Sequence, residues 1–271
     1  MTILQSVILG LIQGIGEFLP ISSSGHLIII PWLFGWPKHA LSFDVMLHWG
    51  TLFAILIYFR NDWSKLLKEG FFSLRERSLK GPIERKLIWF IIVATIPAAI
   101  FGIIFEDKAE SIFRNPLLVA GALGLFGFII YVAERIGKKK RTIQDLKMTD
   151  TILIGLSQAL AIIPGVSRSG ATMSQGLFLN LKRDQAARFS FLLSAPLIFG
   201  AGLVELRKIL QGTCDASLIP LILGFIASFI SGIISIHFLL GFLKRNGFNI
   251  FVVYRLIFAL LIIGLFILRS F

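Results

Sequence analysis

Three ionisable side chains lie in or beside a hydroxyl-rich loop that occurs twice in this chain. The first copy, residues 20–25, reads Pro-Ile-Ser-Ser-Ser-Gly and is flanked by Glu17 and His26. The second copy, residues 164–170, reads Pro-Gly-Val-Ser-Arg-Ser-Gly and contains Arg168. A carboxylate can hold a cation, an imidazole titrates near neutral pH, and a guanidinium offers a planar fork of donors to phosphate. These residue types together predict a site for phosphate chemistry.

Glu17 and His26 are the candidate catalytic groups of the first copy. A carboxylate at the centre of a bilayer costs about 2.5–3.5 kcal/mol, so its presence there indicates function. Gln13 lies four residues before Glu17 and therefore on the same helix face. His26 follows the loop, where it can act as nucleophile, acid or base, and Ser23 is a candidate partner in catalysis. The structural alternatives are a hydrogen bond from Glu17 to a neighbouring helix and a His26 ring satisfied by a backbone carbonyl.

Arg168 is the candidate anion-binding group of the second copy. It lies at the expected start of a helix, where free N–H groups and the helix dipole also favour an anion. Hydroxyl groups surround both loops and complete the predicted phosphate-binding set: Ser22, Ser24, Ser167, Ser169 and Thr172. The alternative for Arg168 is a side chain that extends to the membrane surface, but the loop should lie too deep for that.

The two copies are not chemically equivalent. Aligning their final glycines places Arg168 opposite Ser23 and an apolar residue opposite both Glu17 and His26. The carboxylate and the imidazole therefore come from one half of the chain, and the guanidinium comes from the other. We expect one composite anion site in place of two separate sites.

Composition indicates the environment of these loops. Of the 271 residues, 56% are hydrophobic and 15% are charged, with a mean hydropathy of +0.84. Long apolar runs predict an all-α, polytopic membrane protein in a single domain, residues 1–271. Six segments are predicted to span the membrane: 42–59, 87–105, 115–134, 187–205, 217–243 and 247–269. Residues 1–37 and 149–181 are each two short apolar pieces split by the loop, which predicts two re-entrant helix pairs.

The charge distribution predicts how these segments are oriented. The net charge is +12, yet the basic residues form no patch interleaved with aromatic residues, so we expect no nucleic-acid partner. Most of the 27 Lys and Arg residues fall in the linkers 60–86, 135–148, 182–188 and 244–246, which are therefore expected to be cytoplasmic, with both termini outside. The first pair then enters from outside and the second from the cytoplasm. Residues 1–134 and 135–271 are accordingly predicted to be inverted repeats.

Two long motifs carry a family resemblance. Residues 13–26, Gln-Gly-Ile-Gly-Glu-Phe-Leu-Pro-Ile-Ser-Ser-Ser-Gly-His, closely resemble the first signature of the bacterial undecaprenyl-diphosphatase family, which is associated with bacitracin resistance. Residues 164–172, Pro-Gly-Val-Ser-Arg-Ser-Gly-Ala-Thr, resemble its second signature. The resemblance extends over essentially the whole chain in length and in segment order.

The resemblance implies a function and its requirements. It implies hydrolysis of undecaprenyl diphosphate to the monophosphate in the bacterial cytoplasmic (inner) membrane, which recycles the lipid carrier for cell-wall synthesis. It also implies a divalent cation, Mg²⁺ or Ca²⁺, a site that faces outward, membrane lipids as neighbours, and a homodimer. The metal positions are Gln13 and Glu17; the family carries Glu or Gln at the first of them, and Gln13 offers a hard cation an oxygen without charge.

Several alternatives stay open at this point. His26 can attack phosphorus directly, or it can deprotonate a water molecule or Ser23. His48, in the middle of the first predicted span, either lines the site or packs in the core. Arg255, within the last span, is a candidate to pair with another buried polar group. A lipid-phosphate flippase would use the same kind of inverted-repeat site. A structural membrane subunit is the third possibility, but three ionisable residues at membrane depth argue against it.

Overall fold

The computed structural model describes residues 1–37, 41–105, 112–210 and 218–270. Within these residues the chain is helical and has no β-strand. The α-helices are α1 (Ile3–Phe18), α2 (Ser23–Phe34), α3 (Leu41–Tyr58), α4 (Arg60–Arg75), α5 (Ile83–Ile104), α6 (Pro116–Ile136), α7 (Met148–Ala159), α8 (Arg168–Phe178), α9 (Arg183–Leu210), α10 (Leu218–Leu243) and α11 (Asn249–Ser270). Short 3₁₀ turns lie at Ile112–Arg114, Ile143–Asp145 and Leu160–Ile162.

The predicted membrane spans correspond to helices. In the described part of the chain, α5, α6, α9, α10 and α11 are each long and apolar enough to cross a bilayer. A sixth candidate span is the pair α3 and α4, which is bent by 80° at its junction. The all-α membrane fold is therefore confirmed, with five candidate spans among the described residues, or six if the bent pair that contains the predicted segment 42–59 crosses as one span.

Both segments that carry the repeated loop form pairs of short helices. In residues 1–37, α1 ends at Phe18 and α2 begins at Ser23, so the first loop joins them. In residues 149–181, α7 is followed by a 3₁₀ turn and then by α8, with the second loop between them. Each apolar helix in these pairs is shorter than the roughly 20 residues that a membrane span requires.

Glycine residues at equivalent positions bring the first helix of each pair against the other half of the chain. Gly10 in α1 faces the backbone of α10, where an added Cβ would lie 2.4 Å from the Gly224 carbonyl oxygen. Gly155 in α7 faces α5, where an added Cβ would lie 2.7 Å from the Ala94 carbonyl oxygen. Only glycine permits such close helix contacts, so both positions fix where the loops sit in the bundle.

Side-chain contacts hold the outer ends of both helix pairs. Arg269, at the end of α11, donates to the carbonyl oxygens of Trp32 and Leu33 at the end of α2, both at 2.8 Å. Arg141, between α6 and α7, binds the Asp150 carboxylate in α7 and the Leu179 carbonyl oxygen after α8. An inverted relation between the complete halves stays a prediction.

Candidate active site where the two loops meet

The two loops share one local structure. Ser22 and Ser167 each precede a helix and have positive φ angles of 75° and 72°. Their hydroxyl oxygens accept hydrogen bonds from the N–H groups of Gly25 at 3.3 Å and Gly170 at 3.1 Å, which caps α2 and α8. A positive φ is uncommon outside glycine. The predicted anion-binding residues Ser22 and Ser167 therefore also shape the two helix starts.

Direct contacts connect the loops to each other. The Ser22 hydroxyl accepts a second hydrogen bond, at 3.1 Å, from the Gly165 N–H of the other loop. Ser169, a further predicted phosphate-binding residue, donates to the carbonyl oxygen of Leu19 at 3.2 Å and lies outside the lining of the cavity described below. Both hydroxyl groups hold the loops together across the interface between the two halves.

The Arg255 side chain donates hydrogen bonds to backbone carbonyl groups of both loops. Its side chain is fully buried in α11 and donates to the carbonyl oxygens of Pro20 at 3.1 Å in the first loop and Gly165 at 2.6 Å in the second. Further donors reach Val166 at 3.2 Å and Leu123 in α6 at 3.1 Å. A guanidinium presents five donors in a fixed fork, so one side chain satisfies carbonyl groups of both loops.

We expect Arg255→Met to destabilise the protein. The substitution leaves several buried carbonyl groups without a donor, and the summed cost should be on the order of 3 kcal/mol. Thermal unfolding of the detergent-purified protein measures it. Arg269→Met is the matched control on the same helix, because Arg269 donates to carbonyl groups that are exposed. Equal melting temperatures for the two variants would contradict this role for Arg255.

A cavity of about 300 Å³ opens beside the loops. Five of the predicted site residues line it: Glu17, Ser23, Ser24, Ser167 and Arg168. Most of the other lining residues are apolar, and those from α5 and α9 include Ala98, Gly102, Leu197, Ile198 and Ala201. Polar residues of both loops and apolar residues of α5 and α9 therefore line the same cavity.

Glu17 is the centre of the polar side. Its carboxylate oxygen Oε1 accepts from Arg168 Nη2 at 2.9 Å, which forms a buried ion pair between the two halves. The other oxygen, Oε2, accepts from the Ser23 hydroxyl at 2.8 Å and from Gln13 Nε2 at 3.2 Å. The predicted carboxylate, hydroxyl and guanidinium are therefore in direct contact.

Arg168 is held in place from its other side by α9. Its Nη1 donates to the Ser190 carbonyl oxygen at 2.8 Å. Thr172 lies within 2.7 Å of the Ser190 hydroxyl and donates to the Arg168 carbonyl oxygen at 2.8 Å, away from the cavity. Thr172 thus supports the arginine in this structure. The sequence analysis did not identify Ser190 as a site residue, because no pattern in the sequence of α9 indicates which of its serines contacts α8.

His26 lies outside the cavity lining. Its Nδ1 is 2.7 Å from the Ser22 carbonyl oxygen and its Nε2 is 2.6 Å from the Tyr254 hydroxyl. The ring stacks on Phe258 at a centroid distance of 4.5 Å. Both ring nitrogens have partners here, and one of these is a backbone carbonyl, as in the structural alternative for His26. A catalytic role for His26 stays a prediction.

Three polar residues of the lining were not among the predicted site residues. Asp44 and His48 lie on α3, and Gln158 lies on α7. The repeat contained the signal for Gln158, because alignment of the loops places it opposite Gln13. The position of His48 in the middle of a span allowed both lining and packing, and the structure shows that it lines the cavity.

Comparison with known proteins identifies the family. A sequence profile described as bacitracin resistance protein BacA matches residues 6–261. A protein of Caldicellulosiruptor bescii named undecaprenyl-diphosphatase is 49% identical over 271 residues, which cover 100% of both chains. Proteins with the same name from Moorella thermoacetica and Pelotomaculum thermopropionicum are 47% and 46% identical, over 99% and 100% of this chain and 100% and 99% of their own. This chain belongs to the BacA family of bacitracin resistance proteins.

Proposed function

We propose that this chain hydrolyses undecaprenyl diphosphate to undecaprenyl phosphate and inorganic phosphate. The observation that carries the proposal is the contact of Glu17 with both Ser23 and Arg168 at the wall of one cavity. Its full-length relatives carry the name of this activity. Because the reaction regenerates the monophosphate lipid, it serves cell-wall synthesis.

Arg168 and the helix starts provide the phosphate subsite. The N–H groups at the beginning of α2 and α8 lie beside the loops, where the helix dipoles favour negative charge. The Arg168 fork, now shared between Glu17 and Ser190, can turn its donors to the terminal phosphate. The apolar walls from α5 and α9 suit the first isoprene units of the lipid, and the remaining tail lies against the exposed apolar helix faces.

The Ser23 hydroxyl is the nucleophile that this geometry favours. Its oxygen attacks the terminal phosphorus, the bridging P–O bond breaks, and undecaprenyl phosphate leaves as an anion. The hydroxyl proton passes to Glu17 Oε2, which lies 2.8 Å away. Water then attacks the phosphoserine, the Ser23 Oγ–P bond breaks, and Glu17 returns the proton to Ser23 as phosphate departs. A direct attack by His26 would require its ring to leave Ser22 and Tyr254.

The residues beside Glu17 fit a divalent cation. Gln13 is fully buried, and among the described residues its Oε1 has no hydrogen-bond partner. An oxygen of this kind beside a carboxylate suits a hard cation, so Glu17 and Gln13 would hold the ion. When bound, it would offset the charge of the diphosphate.

Chelation is therefore expected to abolish most activity. Removal of divalent ions with EDTA should lower the rate of phosphate release by about 100-fold or more, because the bound ion would lower the free energy of the negatively charged transition state by several kcal/mol. Restored turnover after addition of Mg²⁺ or Ca²⁺ is the control for irreversible damage. Unchanged release in EDTA would rule out the cation requirement.

We place the cavity on the outer side of the bacterial cytoplasmic membrane. It is lined by the first turn of α3 and by the last turns of α5, whereas the basic linkers lie at the other ends of these helices. Basic linkers favour the cytoplasm. The homodimer implied by the resemblance is retained as part of the proposal.

Phosphate release in detergent tests the proposed function. Detergent micelles have no two sides, so a flippase produces no measurable product there, whereas a diphosphatase releases inorganic phosphate. We expect the purified wild-type protein to release one phosphate per undecaprenyl diphosphate. No release under conditions where the folded protein binds the lipid would contradict the proposal.

A further inference from the structure

His48 faces the same carboxylate oxygen as Ser23. It projects from α3 into the cavity, and its side chain is 30% exposed. Its Nε2 lies 3.6 Å from Glu17 Oε2. Two atoms bound to one ion at about 2.1–2.4 Å from it lie roughly 3–4 Å apart, so this separation suits a shared cation.

The other ring nitrogen determines what Nε2 can do. His48 Nδ1 lies 2.7 Å from the Asp44 carbonyl oxygen, which can only accept, so Nδ1 carries a proton. In the neutral imidazole, Nε2 then presents a lone pair to the carboxylate, and two acceptors face each other. Metal-binding histidines commonly donate their second N–H to a backbone carbonyl in this way.

Gln13 lies beside this pair, and a flip of its amide group would turn Oε1 toward Glu17 in place of Nε2. Its Nε2 contacts Glu17 Oε2 at 3.2 Å, and in the described part of the chain its buried Oε1 has no partner. No three His, Cys, Asp or Glu side chains converge as a metal site within the described ranges, so this would be a sparse ligand set. Arg168 already neutralises Glu17, and a dication therefore also depends on oxygens and charge from the diphosphate.

We propose that His48 is a nitrogen ligand of the divalent cation held by Glu17 and Gln13, and that it makes the site selective for Mn²⁺ over Ca²⁺. Ca²⁺ binds oxygen ligands, whereas imidazole suits transition metals. His48 would thus add an uncharged nitrogen donor to a site in which Gln13 stands at a position where the resembled family also carries Glu. The inference rests on the proposed function for the diphosphate that completes the site.

Hyperfine spectroscopy on bound Mn²⁺ tests this ligand directly. The full chain is labelled with ¹⁵N-histidine, freed of any histidine tag, purified in detergent and loaded with Mn²⁺ and methylenediphosphonate. Pulsed ENDOR should detect a directly coordinated ¹⁵N in the wild type and in His237→Gln, but not in His48→Gln. His237 is the matched control because it contacts Tyr58, outside the catalytic cavity. Absence of the coupling in the wild type, or its persistence in His48→Gln, overturns the proposal.

Metal affinities give a second readout. We expect His48→Gln to raise the Kd for Mn²⁺ at least about tenfold while the Kd for Ca²⁺ changes less than about threefold. Equal changes for both ions would overturn the proposed selectivity. Neither measurement requires turnover. A wild-type protein that fails to release phosphate would therefore contradict the proposed function, whereas the spectra and the metal affinities alone decide whether His48 is a ligand.

Discussion

Arg168→Ala is expected to reduce kcat/KM for phosphate release by about 1,000-fold or more. The guanidinium is the proposed cationic ligand of the terminal phosphate, and loss of one such donor to transition-state charge costs about 10²–10³-fold, or more for an arginine. The substitution also leaves Glu17 without its ion-pair partner. Phosphate release from undecaprenyl diphosphate in detergent is the measurement.

Two variants separate this effect from misfolding. Arg168→Lys retains a positive charge but not the bidentate fork, so its rate should fall between those of the wild type and the alanine variant. Arg188→Ala is the control for loss of an arginine. Arg188 lies in α9, pairs with Asp62 and does not line the cavity, so this variant should remain near wild-type activity. Turnover of Arg168→Ala within tenfold of the wild type would refute its role.

Ser23→Ala is expected to cause a comparable loss, about 1,000-fold or more in kcat. The substitution removes the proposed nucleophile but leaves the phosphate subsite, so KM should change much less than kcat. Ser235→Ala is the control, because Ser235 is also a buried helical serine but donates to the Ser231 carbonyl oxygen and does not line the cavity. A Ser23→Ala variant that keeps wild-type kcat would exclude Ser23 as nucleophile.

Chemical trapping distinguishes Ser23 from His26. Rapid acid and alkaline quenches of wild type with substrate labelled in the terminal phosphate should yield an acid-stable phosphoserine at Ser23. An alkali-stable, acid-labile phosphohistidine at His26 would instead support direct attack by the imidazole. The hydrogen bonds of His26 to Ser22 and Tyr254 are the reason why we expect the first result.

Hydrophobic runs and the repeated loop predicted most of the architecture. Long apolar segments correspond to α5, α6, α9, α10 and α11, because a bilayer requires about 20 apolar residues per helix. The repeat, together with the cost of a charge in lipid, predicted that Glu17 and Arg168 belong to one site. In the structure, Arg168 Nη2 lies 2.9 Å from Glu17 Oε1. Both inferences rest on physical constraints that act locally along the sequence.

Long-range contacts account for what the sequence left open. The position of His26 is determined by Tyr254 and Phe258, more than 220 residues away, and no local pattern reports such a pairing. The same is true of Arg255, whose partners are backbone carbonyl groups and therefore carry no side-chain signal. The hydroxyl of Ser22 was predicted as an anion ligand, yet it accepts from the backbone N–H groups of Gly25 and Gly165.

A double-mutant cycle tests the central claim, that two loop copies form one active site. Phosphate release is measured for Ser23→Ala, Arg168→Ala and the combined variant. Residues that act as a unit are strongly non-additive, because a site without its nucleophile has no transition state left for the arginine to stabilise. We therefore expect the combined variant to be no slower than the slower single variant, within about threefold. A combined loss equal to the product of the two single losses would contradict a composite site.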